Sequence, residues 1–157
     1  MAQNGAFRTI GGKTYILKPR DYAVTIQHLG TAGVTSTGTI NVDPDAPFLL
    51  RRIYMTDSVD TSLAAPGLYG QYENQVLIQD NSNNYQWENQ FVLRSQVAGT
   101  RELPRELEDE VLINANTRFT VTIQEPLATA GSGATAASGY STFSLCGYSL
   151  YPVNPNN

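Results

Sequence analysis

Residues 48–55 read FLLRRIYM, the most apolar window in the chain. With Pro44 and Pro47 just ahead of it, the window has the length of one strand and is too short for an ordinary helix. It is therefore expected to be a buried strand near the centre of the core. Neighbouring side chains on a strand point to opposite faces, so the adjacent Arg51 and Arg52 are expected to put one guanidinium on each face. Working outward, residues 119–123 (FTVTI) alternate Phe119, Val121 and Ile123 with threonine, the pattern of a half-buried strand. Residues 22–29 place Tyr22, Val24, Ile26 and His28 on one face, and residues 34–42 repeat Thr35, Thr37 and Thr39 on another. The closing stretch, residues 140–151, sets Phe143, Leu145, Gly147 and Ser149 against Ser144, Cys146, Tyr148 and Leu150. Further strands are expected within 15–17, 68–79, 85–87, 91–94 and 111–113. Turns fall at Asp43-Pro44-Asp45-Ala46-Pro47 and at Asp80-Asn81-Ser82-Asn83-Asn84. Residues 103–110 fit either a single helical turn with Pro104 at its first position or an extended edge.

This is roughly eight or nine short strands with no helix of normal length between them. The expected fold is all-β, an antiparallel β-sandwich of jelly-roll type with an extended N-terminal arm. The arm is residues 1–13, where Gly5, Gly11 and Gly12 break up scattered polar residues; the sandwich is 14–153, and 154–157 form a C-terminal tail. Residues 128–139 (ATAGSGATAASG) have no side chain large enough to anchor them, and read as a mobile loop or an arm lying on another subunit.

Composition agrees. Charged residues make up 15% of the chain against roughly 25% in an average soluble protein, and Thr, Asn, Ser, Gln and Gly fill the deficit. That disfavours a helical bundle, while nine Tyr, five Phe and one Trp are too much aromatic surface for a disordered chain. A net charge of −4 leaves no chain-wide basic field to attract phosphate backbones, so no nucleic-acid partner is expected. Cys146 is the only cysteine, which rules out an intrachain disulfide. No run approaches the ~18 apolar residues of a membrane span, and the first residues lack a signal-peptide layout. No membrane partner is expected, and the protein is expected to be made in a cytosol and left unprocessed.

The parts available for catalysis are few. His28 is the only imidazole, no Gly-x-Ser-x-Gly elbow is present, and both His28 and Cys146 read as structural. Asp43/Asp45, Asp57/Asp60 and Glu106/Glu108/Asp109/Glu110 supply carboxylates of the type a glycosidase pairs, but turn capping and a solvated charge run explain them. Asp80–Asn84 begins like a calcium loop, yet Tyr85 and Phe91 stand where the glycine and closing glutamate would be. No enzyme, cofactor or metal is therefore expected. Arginine is more suggestive: eight of ten basic residues are Arg, the cation favoured at protein interfaces. Arg51 or Arg52 is expected to meet a carboxylate or a subunit boundary, an ordinary salt bridge being the alternative. Tyr69, Tyr72, Tyr85 and Trp87 could stack on sugar or fill cross-strand space.

The runs FLLRRI (48–53), VLIQDNSNN (76–84), LPREL (103–107), INANTRFTVTIQ (113–124) and FSLCGYSLYP (143–152), in that order, resemble the small β-sandwich structural proteins of tailed-bacteriophage virions. The likeness is one of strand texture and order, and it is strongest to capsid decoration, or cement, proteins. It implies a non-enzymatic homo-oligomer on the capsid exterior, made in the host bacterial cytoplasm, that binds the major capsid protein lattice and stabilises the head. Phe7 and Ile10 are the expected arm anchors, and Arg51, Arg52 and Arg105 the expected polar interface contacts. The alternative is a carbohydrate-binding module of a phage fibre or minor tail or head protein, with Tyr85 and Trp87 as its stacking platform.

Overall fold

A computed structural model describes residues 6–28, 31, 33–59, 74–88, 90–125 and 139–153. Residues 1–5, nearly all of the 128–139 segment, Tyr69 and Tyr72, Asp60, the side chains of His28 and Asp57, and the 154–157 tail lie outside the described residues. Along the chain run β1 (Ala6–Ile10), β2 (Lys13–His28), β3 (Thr35–Asn41), β4 (Phe48–Val59), β5 (Gln75–Asp80), β6 (Tyr85–Gln86) and β7 (Val92–Leu93). One helical turn, α1 (Arg94–Val97), precedes β8 (Arg105–Ile113), β9 (Arg118–Gln124) and β10 (Gly139–Pro152). The protein is all-β. One sheet has the order β1-β2-β10-β4-β8 and the other β3-β9-β5-β6, with β7 also on β5. Neighbouring strands are antiparallel throughout both sheets. From β2 to β5 and again from β7 to β10, each step along the chain crosses from one sheet to the other.

The sheets face each other over one core. Tyr22, Ile26, Leu50, Ile53, Met55, Phe143 and Leu145 come from the first sheet, and Ile40, Val76, Ile78, Phe119, Val121 and Ile123 from the second. Strand β9 is the plainest case: its buried residues are the alternating Phe119, Val121 and Ile123, with Thr120 and Thr122 on the other side. At about 1.5–3 kcal/mol for each fully buried large apolar side chain, this burial is the main stabilising term in a chain without disulfides. The sheets pack closely where β3 meets β2: a Cβ on Gly38 would lie 2.5 Å from Val24 Cγ2. The 80–84 segment is a turn held by Asp80, whose Oδ1 accepts from the Ser82 and Asn83 amides at 2.9 and 3.3 Å.

Two expectations change and one open choice is decided. First, residues 6–10 are not an extended arm but an edge strand, paired from Ala6–Leu17 to Ile10–Lys13 around a turn at Gly11 and Gly12. Both glycines have positive φ, which lets so short a connection close. Second, of the two readings left open for residues 103–110, the extended edge holds: 105–113 form β8, an edge strand of the first sheet. Third, Arg51 and Arg52 do not take opposite faces; both are exposed. The cause is a β-bulge. Cys146 pairs with Arg52 and Gly147 with Leu50, so Arg51 is an extra residue that faces no partner. It resets the alternation, keeping Leu50 and Ile53 in the core with both arginines between them outside.

Candidate functional site

The bulge builds a surface. Cross-strand partners share a face, and Leu49 pairs with Leu112 on β8 and with Tyr148 on β10, placing all three on the side away from the core. Leu49 and Leu150 are buried there, outside the central apolar cluster. Arg8 on β1 and Glu110 on β8 form an ion pair on this face, although their strands are the two outer edges of the sheet. In a flat sheet those strands would stand roughly 19 Å apart. The sheet therefore curls, and its outer face is concave.

The concavity is a groove of about 520 Å³. Ile10, Leu49, Leu107 and Leu112 contribute its apolar surface, and Arg8, Arg51, Arg52, Glu106, Glu108, Asp109 and Glu110 its charged rim. Arg51 Nε lies 3.1 Å from Glu110 Oε1, and Arg52 Nη2 lies 3.0 Å from Glu106 Oε1. The Arg51 guanidinium also sits 5.8 Å from the Tyr148 ring centroid. Exposed pairs of this kind contribute about 0–1 kcal/mol each, so they orient the arginines more than they stabilise the fold. Cys146 faces the same side between Asp21 and Arg52. Burial, reinforced by the Asp21 carboxylate, pushes its thiol up to about 12.

Of the residues singled out from sequence, Ile10, Arg51 and Arg52 meet in this groove. Phe7 does not: it is one step from Arg8 along β1, points to the opposite side, and is 65% exposed. Arg105 is also elsewhere, its guanidinium donating to the Gln96 and Val97 carbonyls at the end of α1. Sequence reasoning missed Arg8, Leu49 and Leu112, and took Glu106 and Glu110 for part of a solvated charge run. The available signal was charge complementarity between Arg51-Arg52 on one strand and an acidic run on the next.

Tyr85 and Trp87 line a second open groove, of about 860 Å³, at the free edge of the other sheet, with Gln79, Asn84, Gln86 and Glu88. Tyr85 is 60% exposed, whereas the Trp87 ring packs edge-on against Phe119 with centroids 5.3 Å apart. Glu88 Oε2 accepts from the Ile78 amide at 3.2 Å, and burial raises this carboxyl above its ordinary range. Asp43, from the carboxylate pairs weighed above, meets Arg20 at 3.2 Å and donates its amide to the Tyr22 hydroxyl. Among the described residues no group of three or more His, Cys, Asp or Glu is placed to hold a metal ion, and no helix is long and apolar enough to cross a membrane. Comparison with known protein families, with curated proteins and with solved structures finds no match to this chain.

Proposed function

We propose that this chain is a non-enzymatic capsid decoration protein of a tailed bacteriophage, binding the outer surface of the major capsid protein lattice as a homo-oligomer and stabilising the head. The observation that carries the reading is the concave outer face of the first sheet, where Ile10, Leu49 and Leu112 lie within a rim of three arginines and four carboxylates, Glu106, Glu108, Asp109 and Glu110. Protein interfaces favour that composition: an apolar centre, arginine enrichment and a polar rim. A cement protein works by contact area repeated across a lattice, so modest affinity at each site becomes firm attachment. A net charge of −4 keeps such a protein from competing for the packaged genome. We further infer a jelly roll. The orders β2-β10-β4-β8 and β3-β9-β5-β6, with the chain crossing between sheets, are what two interlocked Greek keys produce.

The test is cosedimentation of the full chain with assembled tailed-phage capsids, with mass photometry of the free protein alongside. Saturable binding at a fixed ratio to the major capsid protein is expected, and Leu112→Asp should abolish it while leaving the circular dichroism spectrum intact. Leu112 is 49% exposed, so the fold tolerates the charge. A protein that stays in the supernatant at every concentration, or a Leu112→Asp variant that pellets as well as the parent, overturns the reading.

A further inference from the structure

We propose that the groove at the free edge of the second sheet, floored by Tyr85 and Trp87, is a binding site for a neutral saccharide. This site lies on a different sheet from the proposed capsid-binding face and does not depend on it. Tyr85 and Trp87 are two residues apart, and the Trp87 amide donates to the Ile78 carbonyl at 3.0 Å, continuing the ladder that pairs Asp80 with Tyr85. Both side chains are thus presented from one side of the strand. Their roles differ. The core fixes Trp87 through Phe119, and Tyr85 projects into solvent with most of its ring uncovered. A core-anchored indole two residues from an exposed phenol offers aromatic surface onto which the apolar C–H face of a sugar can stack.

The polar lining fits the same class. Gln79 and Gln86 are register partners on the face opposite Tyr85 and Trp87, so they line the groove from across the strand edge, each amide offering a donor and an acceptor to hydroxyl groups. Asn84 adds a third amide from the turn, where its φ of +50° suits asparagine. Glu88 holds the Ile78 amide with one oxygen and turns the strand edge into an acceptor site. Among the described residues no lysine or arginine lines the groove, which suits a neutral ligand better than a phosphate, sulfate or carboxylate. A volume near 860 Å³ accommodates several linked sugar rings and lies within the range of small-ligand sites.

Trp87 is the only tryptophan in the chain, so its fluorescence reports directly on the site. The experiment titrates the full chain with neutral oligosaccharides of glucose, mannose, galactose and N-acetylglucosamine, and reads tryptophan emission. At least one should give a saturable change that is insensitive to sodium chloride. Tyr85→Ala should weaken that binding roughly tenfold, the loss of one stacking contact. Gln86→Ala, also at an exposed position, should weaken it severalfold. Trp87→Ala is avoided because the indole packs on Phe119 and its loss would disturb the core. The proposal is overturned if none of the four series changes the emission at about 10 mM, if Tyr85→Ala binds as tightly as the parent, or if only sulfated glycans bind and salt releases them.

Discussion

Strands β9 and β4 both run through the interior of a sheet, β9 between β3 and β5 and β4 between β10 and β8, yet only β9 keeps a strict two-residue alternation. In β9 every inward residue is large and apolar and every outward one polar. In β4 the alternation breaks at Arg51, where an extra residue lets two arginines share the outer face. The regular strand builds the core and, through Phe119, anchors Trp87. The irregular one builds core on one side and, on the other, the arginine rim of a groove. A bulge is how a central strand serves both, because it shifts the phase of the side chains without moving the apolar residues on either side of it.

The comparison is broken most severely by deleting one residue from each strand. Removing Thr120 from β9 puts Phe119 and Val121 on opposite faces, so one flank of the strand must turn outward. That variant should fail to fold, with circular dichroism of an unfolded chain. Removing Arg51 instead restores plain alternation through Leu50, Arg52 and Ile53, and should yield a folded protein. Equal damage from the two deletions would mean that Arg51 is not the extra residue.

Next in size is Phe119→Ala. Phe119 is 1% exposed and supports the Trp87 ring, so its truncation should cost about 3–5 kcal/mol and lower the urea midpoint accordingly. Tryptophan emission should shift to the red in the folded state as Trp87 loses its neighbour. A smaller effect is expected opposite the bulge. A Cβ on Gly147 would stand 1.9 Å from the Leu49 carbonyl oxygen, so Gly147→Ala must push β4 and β10 apart exactly where the register changes. About 1–3 kcal/mol is expected, as for other overpacked sites. A neutral Gly147→Ala would place the register change elsewhere on the strand.

These contrasts also explain what could be read in advance. Phe119, Val121 and Ile123 announce their face because periodicity is a property of one strand taken alone. So do Tyr22 and Ile26 on β2, and Phe143 and Leu145 on β10. The bulge at Arg51 is a property of a pair of strands: nothing in FLLRRI says which residue its neighbour will skip, and Gly147, the residue that permits the close approach, is 96 positions away by numbering. The strand at 6–10 was hidden for a related reason. As an edge strand it has little to bury, so its sequence lacks an apolar period and resembles an arm. The groove needed the curl of the sheet, which brings Arg8 to Glu110 across strands that no local pattern relates. Tyr85 and Trp87 were readable as aromatics near a turn, but their division into an exposed ring and a core-anchored one depends on Phe119.

The finest probe of the β4 bulge is Cys146, which pairs with Arg52 on the outer face. Its thiol is pushed up to about 12, first by burial, then by the charge of Asp21 and a hydrogen bond to it, with Arg52 pulling the other way. A raised thiol pKa leaves little thiolate at neutral pH, so alkylation by iodoacetamide at pH 8 should be slower in the folded protein than in urea by roughly tenfold or more. The rate should climb as the pH approaches 12. Removing the Asp21 charge with Asp21→Asn lowers the thiol pKa and should speed alkylation. Removing the cation with Arg52→Ala raises it and should slow alkylation further. The second variant distinguishes the bulge from simple alternation: if Arg51 were not skipped, Arg52 would share the buried face with Leu50 and would have no field at Cys146. An alkylation rate unchanged by Arg52→Ala, with Asp21→Asn still accelerating it, would therefore put Arg52 back on the core side and remove the bulge from β4.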